Sequence, residues 1–227
     1  MAGLLEQLLS LAAAGTMMVS SALYDAAPQN DIEGLLYLQN RQWRSGSAYI
    51  PEVRAANVKG KVREMRDDAA VALEQLFADC EAATGEYLVS VSGYRSYQTQ
   101  ATIYQRKKKK VGTKRADDYV ARAGASEHQL GLAMDIGWDD YQGCSEKFPR
   151  SKAGKWCTEN CWKYGFILRY QAGWEDITGY KQEEWHFRYV GLEHAKAIYE
   201  NQMPLENYLL LVREQALMDI VLGVAEE

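Results

Sequence analysis

Three histidines occur in the 227-residue chain, and two of them stand among carboxylates at spacings that suit a metal centre. His128 and Asp135 are seven residues apart in SEHQLGLAMD, residues 126–135. A bend at Gly131 ahead of a strand holding Asp135 brings an imidazole and a carboxylate to one point, as two ligands of a zinc ion require. His186, in EEWH at residues 183–186, supplies a third ligand from a separate strand. Three protein ligands leave a fourth position for water, which is the arrangement of a catalytic zinc and not of a structural one. Such a site brings the pKa of bound water from near 16 to about 7 and polarises a carbonyl. A general base must stand beside it, and Glu183 and Glu184 compete for that role. Glu183 is the better choice, because Glu184 and His186 share a face in a regular strand and Glu184 would compete for the metal. By spacing alone, a plain hydrogen-bonded His–Asp pair is the alternative.

The elements that must position these residues follow an α+β pattern. Residues 64–84 place Met65, Ala69, Leu73, Leu76, Phe77 and Cys80 at helical spacing, and Gly85 stops the run. Short strands are expected at Tyr87 to Ser92, Ala133 to Gly137, Phe166 to Tyr170 and Glu184 to Val190, with helices at Gln98 to Lys110 and Lys152 to Tyr164 between them. In the last strand Trp185, Phe187 and Tyr189 alternate with His186 and Arg188, which sets His186 on the face opposite the aromatic residues.

Composition narrows the partners. The formal net charge is −5, so nothing global favours nucleic acid. The segment RKKKKVGTKR, residues 106–115, is locally basic at seven of ten positions and reads as a solvated helix end and loop. Residues 1–30 form an apolar segment with no charge between Glu6 and Asp25, read either as a signal-like remnant or as a helix outside the catalytic fold. It is the one expected route to a membrane. The C-terminal LENYLLLVREQALMDIVLGV is interrupted by Arg213, Glu214 and Asp219 and suits a packed amphipathic helix. Cys80 falls on the apolar face of the first helix. Cys144, Cys157 and Cys161 crowd together, and one disulfide from Cys144 to Cys157 or Cys161 is expected if the protein is exported. Residues 31–227 then form a single domain.

The pattern S-x-H-x-x-G-x-A-x-D followed by E-x-W-H resembles the zinc D-alanyl-D-alanine carboxypeptidases of the VanY type, within the LAS group of metallopeptidases. The likeness also takes in SGYRSYQTQ (residues 92–100), YGFILRY (164–170) and EEWHFRYVG (183–191). It implies a small central antiparallel sheet carrying the zinc site, flanked by helices, with extra helices at both ends. It implies one Zn2+ on His128, Asp135 and His186, with Glu183 as catalytic base. It further implies that Arg95, Gln100 and Ser126 bind substrate, a guanidinium clamping a terminal carboxylate while an amide and a hydroxyl add directional bonds.

The resulting expectation is an extracytoplasmic zinc peptidase that removes the C-terminal D-alanine from peptidoglycan stem peptides ending in D-Ala-D-Ala. Two rivals use the same residues: a D,L-carboxypeptidase or peptidoglycan endopeptidase, and a non-catalytic wall-binding module that keeps zinc for structure. Glu183 speaks against the module, since a structural site is closed by a fourth protein ligand and needs no base.

Overall fold

The computed structural model describes residues 30–139 and 143–222. The described residues divide into two compact units, one from Leu38 to Glu206 and one combining those up to Tyr37 with those from Asn207 onward. The fold elements expected over 31–227 therefore concentrate in Leu38–Glu206, while the apolar segment 1–30 lies outside the described residues except for Asn30.

In chain order the elements are β1 (Arg54–Ala55), β2 (Glu64–Met65), α1 (Asp67–Thr84), β3 (Leu88–Ser92), α2 (Tyr97–Val111), α3 (Thr113–Tyr119), β4 (Ala133–Trp138), α4 (Lys152–Asn160), β5 (Phe166–Tyr170), α5 (Glu175–Thr178), β6 (Glu183–Tyr189), α6 (Leu192–Asn201) and α7 (Leu205–Leu222). Turns of 3-10 helix cover Glu127–Leu130, Phe148–Arg150 and Cys161–Tyr164. β3 to β6 form one antiparallel sheet in the order β3-β4-β6-β5. This is the expected α+β architecture, a small antiparallel sheet with helices about it.

α1 begins later than the apolar spacing suggests, because Glu64 and Met65 are taken by pairing with Ala55 and Arg54. Asp67 and Asp68 then occupy its first turn, where carboxylates favour the helix dipole. Its buried face carries Leu73, Leu76, Phe77 and Cys80, and Gly85 closes it at φ 72°. The basic run is two helical ends and not a helix end and loop: Lys108 to Lys110 lie in the last turn of α2, and Gly112 caps the start of α3. α3 has one fully buried residue, Ala116, and hence no apolar period to reveal it. Among the described residues no helix is long and apolar enough to cross a membrane.

β4 is buried along nearly its whole length and carries a single charged residue, Asp135. The expected alternation in β6 holds only in part, since His186, Phe187 and Arg188 are all buried, leaving neither face open there. Phe187 packs edge-on against Phe148, with ring centroids 6.1 Å apart.

The four cysteines are free thiols in this structure, whereas a bridge from Cys144 to Cys157 or Cys161 is the expectation for exported protein. Cys157 and Cys161 are sealed in the core with Cys80, whereas Cys144 is exposed on the wall of the cleft described below.

Candidate metal centre and substrate cleft

Asp135 and His186 are direct cross-strand partners in the β4–β6 ladder, so the sheet itself sets these two side chains together. His128 comes from the 3-10 turn before β4. That turn ends at Gly131, whose φ of 69° and close approach to Val53 leave no room for a side chain. The turn is zipped to the segment after β3: the Arg95 N–H donates to the His128 carbonyl at 3.1 Å, and His128 Nδ1 lies 2.8 Å from the Gly93 carbonyl. Gly93 has to be glycine, because a Cβ would stand 2.4 Å from the Glu64 carbonyl. One pair of loops thus fixes His128 and Arg95 together.

The three expected ligands converge, with one ligand atom from each lying within 4.8 Å of the others. Asp135 Oδ1 is 3.1 Å from His186 Nδ1, and Asp135 Oδ2 is 3.4 Å from His128 Nε2. Ligand atoms at about 2.0–2.1 Å on a tetrahedral zinc stand roughly 3.3–3.4 Å apart, so each histidine meets Asp135 at a separation that suits the ion, and the donor types suit it as well. The rings of His128 and His186 meet edge to face, 87° apart in plane. All three side chains are nearly sealed from solvent.

The charges agree with that reading. Burial and the charge of Arg95 push the His128 pKa down, keeping a neutral imidazole as a ligand must be. Burial would raise the pKa of Asp135, but the two imidazoles hold its carboxyl well below the usual range. For His186, burial works downward, yet Asp135 and Glu127 outweigh it and hold the pKa up at about 9. Positive charge is therefore favoured where the three donors meet, and a metal ion there would take the place of the His186 proton.

Glu183 borders the same space, with Oε2 3.7 Å from His186 Nδ1. Residues three apart in a regular strand face opposite ways. Here the β5–β6 register slips between Leu168↔Phe187 and Tyr170↔Glu183, where two steps along β5 match four along β6, and this irregularity turns Glu183 toward His186. Burial, helped by Asp135 and opposed by His186, pushes the Glu183 carboxyl up to about 7. Glu184 does not line the cleft.

The centre lies in a cleft of about 210 Å³ whose walls include Arg95, Ser126, Cys144, Tyr170, Tyr180 and Trp185. Arg95 donates to Gln100 Oε1 at 2.7 Å and to Ser92 Oγ at 3.1 Å, and its Nη2 is 3.6 Å from Asp135 Oδ2. With five N–H donors, the guanidinium keeps capacity for a further acceptor. Gln100 also lines the cleft, its oxygen accepting from Arg95 and its nitrogen donating to the Ala121 carbonyl at 2.6 Å. It orients Arg95. The sequence reading passed over Glu127, which is wholly buried and contacts His186, Arg169 and Arg188. Its place between Ser126 and His128 was the only available signal.

Residues 62–192 match the family model described as VanY, D-alanyl-D-alanine carboxypeptidase. The chain is 40% identical over 194 residues to YodJ of Bacillus subtilis (strain 168), covering 80% of this chain and 69% of that protein. It spans about half the length of the D-alanyl-D-alanine carboxypeptidases of Enterococcus faecium and Enterococcus faecalis (strain ATCC 700802 / V583) that it also matches, 47% and 52%. Among solved structures, it superposes on the LdcB LD-carboxypeptidase with a TM-score of 0.74 at 40% identity, over 78% of this chain and 86% of that one. A glutamate-to-alanine variant of the D,D-pentapeptidase VanY from a VanB-type resistance cassette, in complex with Zn(II), gives 0.66 at 34% identity, over 77% and 98%. The chain belongs to the VanY family of D-alanyl-D-alanine carboxypeptidases, and it is a hydrolase of the carboxypeptidase class.

Proposed function

We propose that the protein is a zinc-dependent, extracytoplasmic carboxypeptidase that removes the C-terminal D-alanine from peptidoglycan stem peptides ending in D-Ala-D-Ala. The observation that carries this reading is the meeting of His128, Asp135 and His186 on the floor of a cleft that also holds a buried carboxyl, Glu183, and a guanidinium, Arg95. His128, Asp135 and His186 would hold the ion. Zinc bound there supplies a Lewis acid that polarises the scissile carbonyl and acidifies water.

The chain's own side chains do the rest. Glu183, with a pKa raised to about 7, is suited to take a proton from the attacking water and return it to the leaving amine nitrogen. Arg95, held by Gln100 and Ser92, offers its remaining donors to the terminal carboxylate. Ser126, buried in the cleft wall, adds a hydroxyl near the same end. A clamp on a free carboxylate restricts cleavage to the last residue, which is what separates a carboxypeptidase from an endopeptidase. The VanY neighbour solved with Zn(II), and a further VanY-type neighbour solved with D-alanine-D-alanine, support both ion and substrate class.

A second reading has a specific support, the close likeness to the LdcB LD-carboxypeptidase: removal of D-alanine from a tetrapeptide stem. Incubating the zinc-loaded protein separately with synthetic pentapeptide and tetrapeptide stems, and weighing the products, decides. Loss of one alanine from the pentapeptide supports the D,D reading. Loss of alanine from the tetrapeptide alone moves the function to the second reading, and cleavage of neither overturns both.

A further inference from the structure

Glu127 sits inside the sequence motif that supplies a ligand, yet it does not face the point where the ligands meet. Its Oε2 lies 3.2 Å from His186 Nε2, the ring nitrogen on the far side from Asp135. Its Oε1 accepts from Arg169 Nε at 2.8 Å and from Arg188 Nη1 at 3.1 Å. The outer fork of Arg169 is occupied in turn by Glu206, whose two carboxylate oxygens lie 2.7 and 2.9 Å from Nη2 and Nη1. The side chains of Glu127, Arg169 and Arg188 are completely buried, and three buried charges persist only when each has partners. Two guanidiniums on Oε1 leave this carboxylate a single role, that of acceptor.

An imidazole has two nitrogens, and in the neutral ring only one bears a proton. Both ring nitrogens of His186 face carboxylates, Asp135 at Nδ1 and Glu127 at Nε2, and once an ion takes the Asp135 side the remaining N–H belongs on Nε2, against Glu127. The lone pair is then on Nδ1, the nitrogen 3.1 Å from Asp135 Oδ1. His128 is arranged the opposite way: its Nδ1 faces the Gly93 carbonyl, which turns Nε2 toward Asp135. We infer that Glu127 is a positioning residue that locks His186 as its Nε2–H tautomer, so that the two histidines present different nitrogens to the ion, Nε2 from His128 and Nδ1 from His186. Arg169 and Arg188 hold Glu127 in place, and Glu206 holds Arg169. This inference rests on the ligand assignment made for the proposed zinc site.

Long-range proton–nitrogen correlation spectra of the 15N-labelled, zinc-loaded protein test it without any substitution. The expected result is a proton on Nε2 and a metal-shifted Nδ1 for His186, with the reverse for His128. A metal-shifted Nε2 on His186 would overturn the inference while leaving the ligand assignment standing. Absence of any metal shift on His186 would instead remove the zinc site itself, and the inference with it. The isosteric Glu127→Gln variant adds a second readout, because its amide can present N–H as well as oxygen to Nε2 and so releases the tautomer. Chelator competition on folded E127Q should show zinc binding about ten- to a hundredfold weaker. A merely structural Glu127 would lower the melting temperature of the metal-free and zinc-loaded forms alike and leave zinc affinity unchanged, which would overturn the inference. If E127Q does not fold, the wild-type spectra still decide.

Discussion

Replacing Arg95 by lysine keeps the positive charge and removes the fork. In the structure Nη1 reaches Gln100 and Nη2 reaches Ser92, 2.7 and 3.1 Å away, while Nη2 stands 3.6 Å from Asp135. An ammonium concentrates its donors on one atom and cannot serve Gln100, Ser92 and an incoming carboxylate together. The loss is one or two charge-assisted hydrogen bonds in a largely buried setting, about 2–3 kcal/mol, or roughly thirty- to a hundred-and-fiftyfold in kcat/KM. The assay compares a stem peptide with a free C-terminus against the same peptide ended as an amide. Wild-type protein should prefer the acid, R95K should lose most of that preference, and the amide rate should hardly move. Zinc content must be measured alongside, since Arg95 lies close to Asp135. Equal wild-type cleavage of acid and amide, or equal losses on both in zinc-replete R95K, would refute the clamp.

Other expectations follow from the same geometry. Glu183→Ala should keep its zinc and fold while turnover falls by about a hundred- to ten-thousandfold, whereas Glu184→Ala should be mild; the reverse ranking in steady-state kinetics would move the base to Glu184. Thiol titration of unreduced protein should find four free thiols after unfolding and Cys144 reacting first in the native state; two missing thiols would restore a disulfide. Asp117 accepts from both Arg122 Nε and Nη2 and from the Tyr104 hydroxyl, and these bonds, Arg122 foremost, hold its pKa down against burial. Its folded-state pKa lies below the unfolded value of about 3.9, so the stabilisation is present above that value and is lost as pH falls below it. Asp117→Asn should therefore melt lower than wild type at neutral pH, with the gap closing in acid; a gap independent of pH would show that the carboxylate charge is not what matters.

Much of the centre was legible in the chain because its chemistry is local. His128 and Asp135 share one turn and strand, and the likeness of the ten-residue motif to the family named their roles. The strand Phe166–Tyr170 and the stop at Gly85 were legible for similar reasons, a short apolar run and a glycine at a left-handed position. Features that depend on contacts distant in sequence were not. The choice of Glu183 over Glu184 depends on a register slip against β5 that no periodicity encodes. Glu127 gains its surroundings from Arg169 and Arg188, 42 and 61 residues away. Gln100, expected to meet substrate, lines the cleft while bonded to Arg95 and to the Ala121 carbonyl, 21 residues away, a setting that no local pattern encodes. Neighbouring cysteines suggested a bridge, but chain proximity does not say which way each thiol points.

The central claim is that His128, Asp135 and His186 hold a catalytic zinc with a position left open. X-ray absorption at the zinc edge, on protein loaded with one equivalent of the metal, tests it most directly. The account predicts two imidazoles and oxygen donors at about 2.0–2.2 Å with no sulfur, an oxygen from solvent filling the open position. The cleft also contains the exposed thiol of Cys144, which makes the measurement discriminating. A sulfur at about 2.3 Å, or a shell lacking two imidazoles, would contradict the assignment and the mechanism built on it.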